Sequence, residues 1–146
     1  MKIYTIGFTQ KTAETFFKLL HTNNIQYLVD IRVHPSGQLA AFARQEDLPY
    51  LLDRLADHCG YIYLPDLAPT KEMMKEYRSG RDWPRYMTRF EKLMDERGIP
   101  DTLDRQFFES FNCCLLCSEA EAQQCHRRLV AERMAAKWGN VEIIHL

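Results

Sequence analysis

Reactive side chains are concentrated between residues 117 and 127. The run Cys117-Ser118-Glu119 follows directly on the apolar segment 113–116, and Cys125-His126-Arg127 comes a few residues later. A cysteine can act as a nucleophile or a metal ligand, a carboxylate can transfer a proton, and an arginine can bind an anion. These residue types predict a functional site, although they do not define its reaction.

Two roles are open for Cys117 and for Glu119. Cys117 is the candidate nucleophile because Arg127 and the start of a following helix would favour its thiolate form, but free cysteines are also commonly small buried hydrophobes. Glu119 is the candidate general acid/base, or a carboxylate that stabilises the N-terminus of that helix. The short spacing between the two residues favours the catalytic role.

Arg127 is predicted to point inward. At about 100° per residue, it shares one helix face with four apolar residues, namely Val130, Ala131, Met134 and Trp138. A buried cation is destabilising unless it is paired. Asp30, Glu119 or a bound anion is therefore expected beside Arg127.

Cys117, Cys125 and His126 form a weak candidate metal site. On a helix that begins near Ala122, Cys125 lies nearly opposite Arg127. Adjacent helical residues diverge by about 100°, so they rarely bind the same ion. The pattern therefore disfavours a metal site. It also favours Arg127 over Cys125 as a site residue, unless Cys125 precedes the regular helix.

Composition limits the partners. The chain has 146 residues and a net charge of −1, so one globular domain over 1–146 is expected, with no overall field that attracts nucleic acid. No apolar run is long enough to serve as a signal peptide or to span a bilayer. Five cysteines, two of them adjacent at 113 and 114, favour reduced thiols. We expect a cytoplasmic protein that does not bind membranes.

The hydrophobic pattern alternates between strand and helix, which predicts an α/β fold. We expect a mainly parallel, doubly wound (Rossmann-like) sheet of about five strands with helices on both faces. The predicted strands are 2–6, 25–31, 61–64, a run ending at 117, and 141–145. Helices are predicted after the caps Thr12 and Asp47, in a helical insertion at about 65–111, and over 122–138.

Three polar loops follow predicted strand ends. They contain Thr9, then Asp30 with Arg32 and Ser36, then Cys117 with Glu119. Ligands of such folds bind beyond the carboxyl ends of the strands. The predicted substrate-binding residues are therefore Thr9, Asp30, Arg32, Ser36 and Arg127. For Asp30 and Arg32, a structural ion pair at the strand end is an equal alternative.

A series of basic residues lies within the helical insertion: Lys71, Lys75, Arg78, Arg81, Arg85 and Arg89. These side chains could contact phosphates. Interleaved acidic residues favour a solvated helix face instead.

Three sequence blocks occur in order along the chain: Thr5-Ile6-Gly7, then Val29-Asp30-Ile31-Arg32 with Pro35-Ser36, and Leu115-Leu116-Cys117-Ser118-Glu119 followed by Cys125-His126-Arg127. Together they resemble the prokaryotic proteins with domain of unknown function 488. The resemblance implies an α/β fold and a site at these residues, without an established activity. The family usually has His-Ser or His-Thr where this chain has Phe8-Thr9, so one acid/base or ligand side chain is missing here.

Three functions remain open. The favoured one is a cysteine-dependent enzyme that acts on a small anionic or nucleotide-like ligand, with Cys117 and Glu119 in catalysis and Arg32 and Arg127 binding the anion. A non-catalytic module that binds a nucleotide or nucleic acid, and a metal-binding protein that uses Cys117, Cys125 and His126, are the alternatives. The sequence specifies neither a cofactor nor an oligomeric state.

Overall fold

The computed structural model describes the whole backbone and the side chains of residues 1–37 and 41–146. The strands are β1 (Lys2–Gly7), β2 (Tyr27–Asp30), β3 (Gly60–Tyr63), β4 (Cys113–Cys117) and β5 (Glu142–His145). The α-helices are α1 (Ala13–Thr22), α2 (Leu48–Leu55), α3 (Lys71–Gly80), α4 (Trp83–Glu96), α5 (Arg105–Ser110) and α6 (His126–Trp138). Two short 3-10 helices cover Gln38–Ala43 and Pro65–Leu67.

The five strands form one parallel sheet in the order β3-β2-β4-β1-β5. One face packs on α1 and α2 through a core that contains Phe16, Leu20 and Leu52. The other face packs on the remaining helices through a core that contains Phe90 and Met134. The predicted doubly wound α/β fold is confirmed.

Burial of both sheet faces explains the composition of the central strands. Every residue of β4 is buried. Cys113 faces one core and Cys114 the other, because successive strand side chains alternate between faces. Both cysteines, like Cys59, are buried free thiols, as the sequence predicts.

One of three predicted helix starts is confirmed, and two need correction. Thr12 caps α1 by accepting a hydrogen bond from the Thr15 amide at 3.1 Å, as expected. Asp47 also precedes its helix, but it has αR backbone angles and makes no side-chain capping bond. The last helix begins at His126 rather than near Ala122, because Cys125 has extended backbone angles (φ −138°, ψ 140°).

Among the residues described, none of the helices combines the length and the apolar character needed to cross a membrane.

Candidate functional site

Strand register brings the predicted loops to one edge of the sheet. Gly7 of β1 lies opposite Cys117 of β4, and Asp30 of β2 lies opposite Leu116. Since β4 lies between β1 and β2 and all three strands are parallel, their carboxyl ends meet. This is the edge at which doubly wound folds bind ligands.

A cavity of about 470 Å³ opens at this edge. Its volume falls within the range of about 300–1,000 Å³ that is common for small-molecule sites. The lining comes from the loops after β2 and β4, from α3 and from the start of α6: Arg32, Val33, His34, Lys71, Met74, Lys75, Arg78, Ser79, Cys117, Ser118, Glu119 and His126.

Helix α3 contributes a basic face to the cavity. Lys71, Lys75 and Arg78 are spaced i, i+4 and i+7, so they lie on one side of the helix. Glu119 is the only carboxylate in the described lining. Arg32 also lines the cavity but is paired with Asp30. The three cations of α3 thus face one carboxylate, an excess of two positive charges in a chain whose net charge is −1.

The rest of the basic series has other contacts. Arg85 and Arg89 of α4 pair with Glu76 of α3, in accordance with the predicted solvated face. Arg81 lies over the ring of Tyr77, 5.7 Å from its centroid. Lys71, Lys75 and Arg78 are exposed as well, so the predicted solvated face also borders the cavity.

Asp30 and Arg32 form a buried ion pair. Arg32 donates from Nε and Nη2 to the two carboxylate oxygens of Asp30, at 2.9 and 2.7 Å. The Tyr61 hydroxyl donates to the same carboxylate at 2.7 Å, and burial together with this bond raises the pKa of Tyr61. Asp30 is 0% exposed and lies behind Arg32, which lines the cavity. Asp30 therefore has a structural role, and Arg32 is the member of the pair that a ligand in the cavity could contact.

The Arg32 guanidinium is not fully satisfied. Nη2 also donates to the Ala43 carbonyl at 2.7 Å, and the group lies over the Phe8 ring at 5.3 Å from its centroid. Nη1 is buried and has no hydrogen-bond partner in the part of the chain whose side chains are described. Buried donors are normally satisfied, so this N–H is a candidate donor to a ligand or a water molecule in the cavity that Arg32 lines.

Arg127 organises the loop between β4 and α6. It is 1% exposed, as its helical position predicts. Nη2 donates to the Ala120 carbonyl at 3.1 Å, and Nη1 contacts the Glu119 carbonyl and, at 3.4 Å, the sulfur of Cys117. The expected partner is the carboxylate of Asp30 or Glu119, or a bound anion. Asp30 pairs with Arg32 instead, and Glu119 offers its backbone carbonyl.

Gly7 makes this close loop packing feasible. A Cβ atom at position 7 would overlap the backbone carbonyl of Glu119 and would lie 2.8 Å from Nη1 of Arg127. A side chain here would displace backbone rather than a flexible side-chain end. The glycine of the Thr5-Ile6-Gly7 block therefore lets β1 approach the loop that Arg127 holds.

The sulfur atoms of Cys117 and Cys125 are joined as a disulfide, across a Cα–Cα separation of 7.8 Å. The prediction of reduced thiols is therefore wrong for this pair. Disulfides usually span about 4.4–6.8 Å between Cα atoms. The Cα atoms of the two cysteines are thus farther apart than is usual for a disulfide, and the side chains extend toward each other.

His126 is neutral and held in one orientation. Its Nε2 lies 2.8 Å from the carbonyl oxygen of Ile31, and since that oxygen only accepts, Nε2 carries the hydrogen. Burial lowers the pKa of His126 to about 4. Nδ1 is left with a free lone pair, and a ligand nitrogen of His126 lies within 4.8 Å of the sulfurs of Cys117 and Cys125.

The remaining predicted site residues have separate positions. Glu119 is exposed and lines the cavity. Thr9 donates from Oγ1 to the Ser118 carbonyl at 2.6 Å and borders a neighbouring depression rather than the main cavity. Ser36 is exposed, lies 3.5 Å from Gln45, and is not among the lining residues. Cys117, Glu119 and Arg32 are thus brought together, whereas Thr9 and Ser36 are not.

The fold and the site define a doubly wound α/β protein with a basic, cysteine-containing cavity at the carboxyl edge of its sheet. The chain belongs to the family described as domain of unknown function DUF488, whose model matches residues 12–134. No curated protein and no solved structure is similar enough to count as a match.

Proposed function

We propose that the protein binds a small anionic, nucleotide-like ligand in the cavity and acts on it through Cys117. One observation carries the proposal. Lys71, Lys75 and Arg78 line the same cavity as Cys117, so the positive charge and the reactive sulfur face one ligand. Phosphate groups are the common ligands that are matched by several lysine and arginine side chains.

The surroundings of Cys117 support a chemical role. This role requires the Cys117–Cys125 disulfide to be reduced by a thiol reductant. The freed sulfur of Cys117 lies beside Nη1 of Arg127, which is 3.4 Å away, and a neighbouring cation favours the thiolate form of a cysteine. Glu119 lies on the exposed side of the same cavity, where it can exchange protons with a ligand and with water. In this scheme Cys117 is the nucleophile, Glu119 the general acid/base, and Arg32 an anion-binding residue.

A small ligand fits the site better than nucleic acid. The cations of α3 lie in one concave region, and the neighbouring Arg85 and Arg89 share the carboxylate of Glu76, which offsets one of their two charges. Binding of a nucleic-acid backbone depends on an extended row of cations. A non-catalytic module that binds a nucleotide in the same cavity is the second candidate, since Lys71, Lys75 and Arg78 could bind a phosphate group without any contribution from Cys117.

Binding can be tested by thermal shift and titration calorimetry with inorganic phosphate, inorganic diphosphate and a nucleoside diphosphate, using an uncharged nucleoside as the negative control. We expect the diphosphates to bind and the nucleoside not to bind. The combined variant K71Q/K75Q/R78Q should weaken binding about tenfold to hundredfold, since each exposed ion pair contributes up to about 1 kcal/mol.

Lys92 of α4 is exposed and lies outside the described lining, so K92Q is the matched charge control. Equal affinity in the triple variant and in K92Q would refute the cavity as the binding site. Turnover of a bound nucleotide that is lost in C117S and retained in C114A supports the enzyme. Binding without turnover by the native protein would favour the non-catalytic module.

A further inference from the structure

Three potential metal ligands converge beside the cavity, and two of them, Cys117 and His126, line it. Cys117 ends β4, Cys125 precedes α6, and His126 begins that helix. One ligand atom from each lies within 4.8 Å of the other two, and all three residues are buried. Two ligands placed about 2.3 Å from a tetrahedral ion lie about 3.8 Å apart. The two sulfurs are bonded to each other in the disulfide, so the three ligands can share an ion only after that bond is reduced.

The extended backbone at Cys125 resolves the objection from helical periodicity. Adjacent residues inside a helix diverge, but Cys125 is the residue before the first helical turn. Its side chain can therefore turn toward Cys117 while His126 remains helical. The Cα–Cα separation of 7.8 Å exceeds what a disulfide usually spans, whereas two cysteines that bind one ion between them tolerate it.

The orientation of His126 is that of a metal ligand. A ligand imidazole usually donates its second ring N–H to a carbonyl or a carboxylate, which fixes the ring and leaves the other nitrogen for the ion. His126 has this arrangement with the Ile31 carbonyl at 2.8 Å.

We propose that Cys117, Cys125 and His126 bind a zinc-like divalent metal ion, with the cavity supplying its fourth coordination position. Two thiolates and an imidazole match the preferences of Zn²⁺, and three protein ligands with one open position are typical of catalytic rather than structural zinc sites. Arg127 lies 3.4 and 3.8 Å from the two sulfurs, where its charge offsets that of the thiolates.

The role of the ion rests on the proposed function, because an open position matters only if a ligand enters the cavity. Cys117 would then be a metal ligand, and the ion would polarise the anion or a bound water in place of direct attack by sulfur. Binding of the metal itself does not depend on the basic residues of α3.

The test is metal analysis of reduced protein that has been loaded with Zn²⁺ and dialysed. We expect about one ion per chain in the native protein and at least a tenfold weaker affinity in C117S, C125S and H126Q. C114A, which removes a buried thiol from the same region, should bind as the native protein does. Co²⁺ should give a thiolate-to-cobalt charge-transfer band that is lost in C117S and C125S.

A reduced, folded native protein that retains no Zn²⁺ and gives no such band would overturn the inference, as would undiminished metal content in C125S. Circular dichroism of each variant separates loss of ligands from loss of fold. Diphosphate titration of the metal-free protein separates the two proposals. Anion binding without metal binding refutes only the metal site, and metal binding without anion binding refutes the proposed ligand. Binding of both would support the anion-binding cavity and replace the nucleophilic role of Cys117 by that of a metal ligand.

Discussion

Neutralising Asp30 should strongly destabilise the protein. D30N keeps the size of the side chain but leaves the Arg32 guanidinium, 3% exposed, without its anion. Breaking a buried ion pair from one side costs about 3–5 kcal/mol. Since the amide oxygen of Asn can still accept one hydrogen bond, we expect the free energy of unfolding to fall by about 3 kcal/mol, the lower end of this range. The free energy of unfolding of a typical domain is about 5–15 kcal/mol, so this loss would be a large part of it.

Urea unfolding followed by circular dichroism measures this loss. With a slope of about 2 kcal/mol per molar urea, the midpoint should fall by about 1.5 M. The double variant D30N/R32M should recover part of the difference, because it removes the buried charge that D30N leaves unpaired. E14Q, which breaks the exposed Glu14–Lys18 pair, is the control and should not shift the midpoint.

An unchanged midpoint in D30N would show that Asp30 does not neutralise Arg32. A double variant less stable than D30N would refute the same reasoning, because removal of the unpaired Arg32 charge should restore stability. The double variant also separates folding from binding. It should be folded and yet bind diphosphate more weakly than the native protein, since Arg32 lines the cavity.

Three further predictions concern packing and reactivity. G7A should lower the free energy of unfolding by at least about 1–3 kcal/mol, because its methyl group displaces the Glu119 backbone; an unchanged urea midpoint would contradict the close approach. R127M should cost about 1–3 kcal/mol, since it leaves buried carbonyls unpaired, and calorimetry showing no loss would refute its role in holding the loop. Burial raises the pKa of Cys59 and Cys113 to about 12. Their thiolates form only near that pH, so mass spectrometry should show no iodoacetamide labelling of native protein at pH 8 and full labelling in urea. Early labelling of either thiol would contradict its burial.

The sequence predicts the fold well because burial leaves a local signal. The continuous apolar run at 113–116 indicates a strand covered on both faces, and β4 is fully buried. The inward position of Arg127 likewise follows from its apolar neighbours on one helix face. Strand order does not follow in this way, because β4 enters between β1 and β2 through contacts between residues far apart in the chain.

The site is less predictable for two physical reasons. The direction of the Cys125 side chain depends on one extended residue before α6, and periodicity assigns that residue to the helix. The basic face of α3 is selected by tertiary packing: Tyr77 packs on Tyr86 of α4 at 5.1 Å between ring centroids, which leaves Lys71, Lys75 and Arg78 for the cavity. The spacing of four and three residues between these cations indicates a common helix face, but the interleaved acidic residues made a solvated face the favoured interpretation.

A crystal structure of the native protein grown with inorganic diphosphate would test the central claim most directly. The proposed function predicts ordered diphosphate in the cavity, with its oxygens within hydrogen-bond distance of Lys75 and Arg78 and on the side that Cys117 faces. Diphosphate bound only at another basic region, such as the depression beside Arg133 and Lys137, would contradict the claim. A cavity without diphosphate at saturating concentration would contradict it equally.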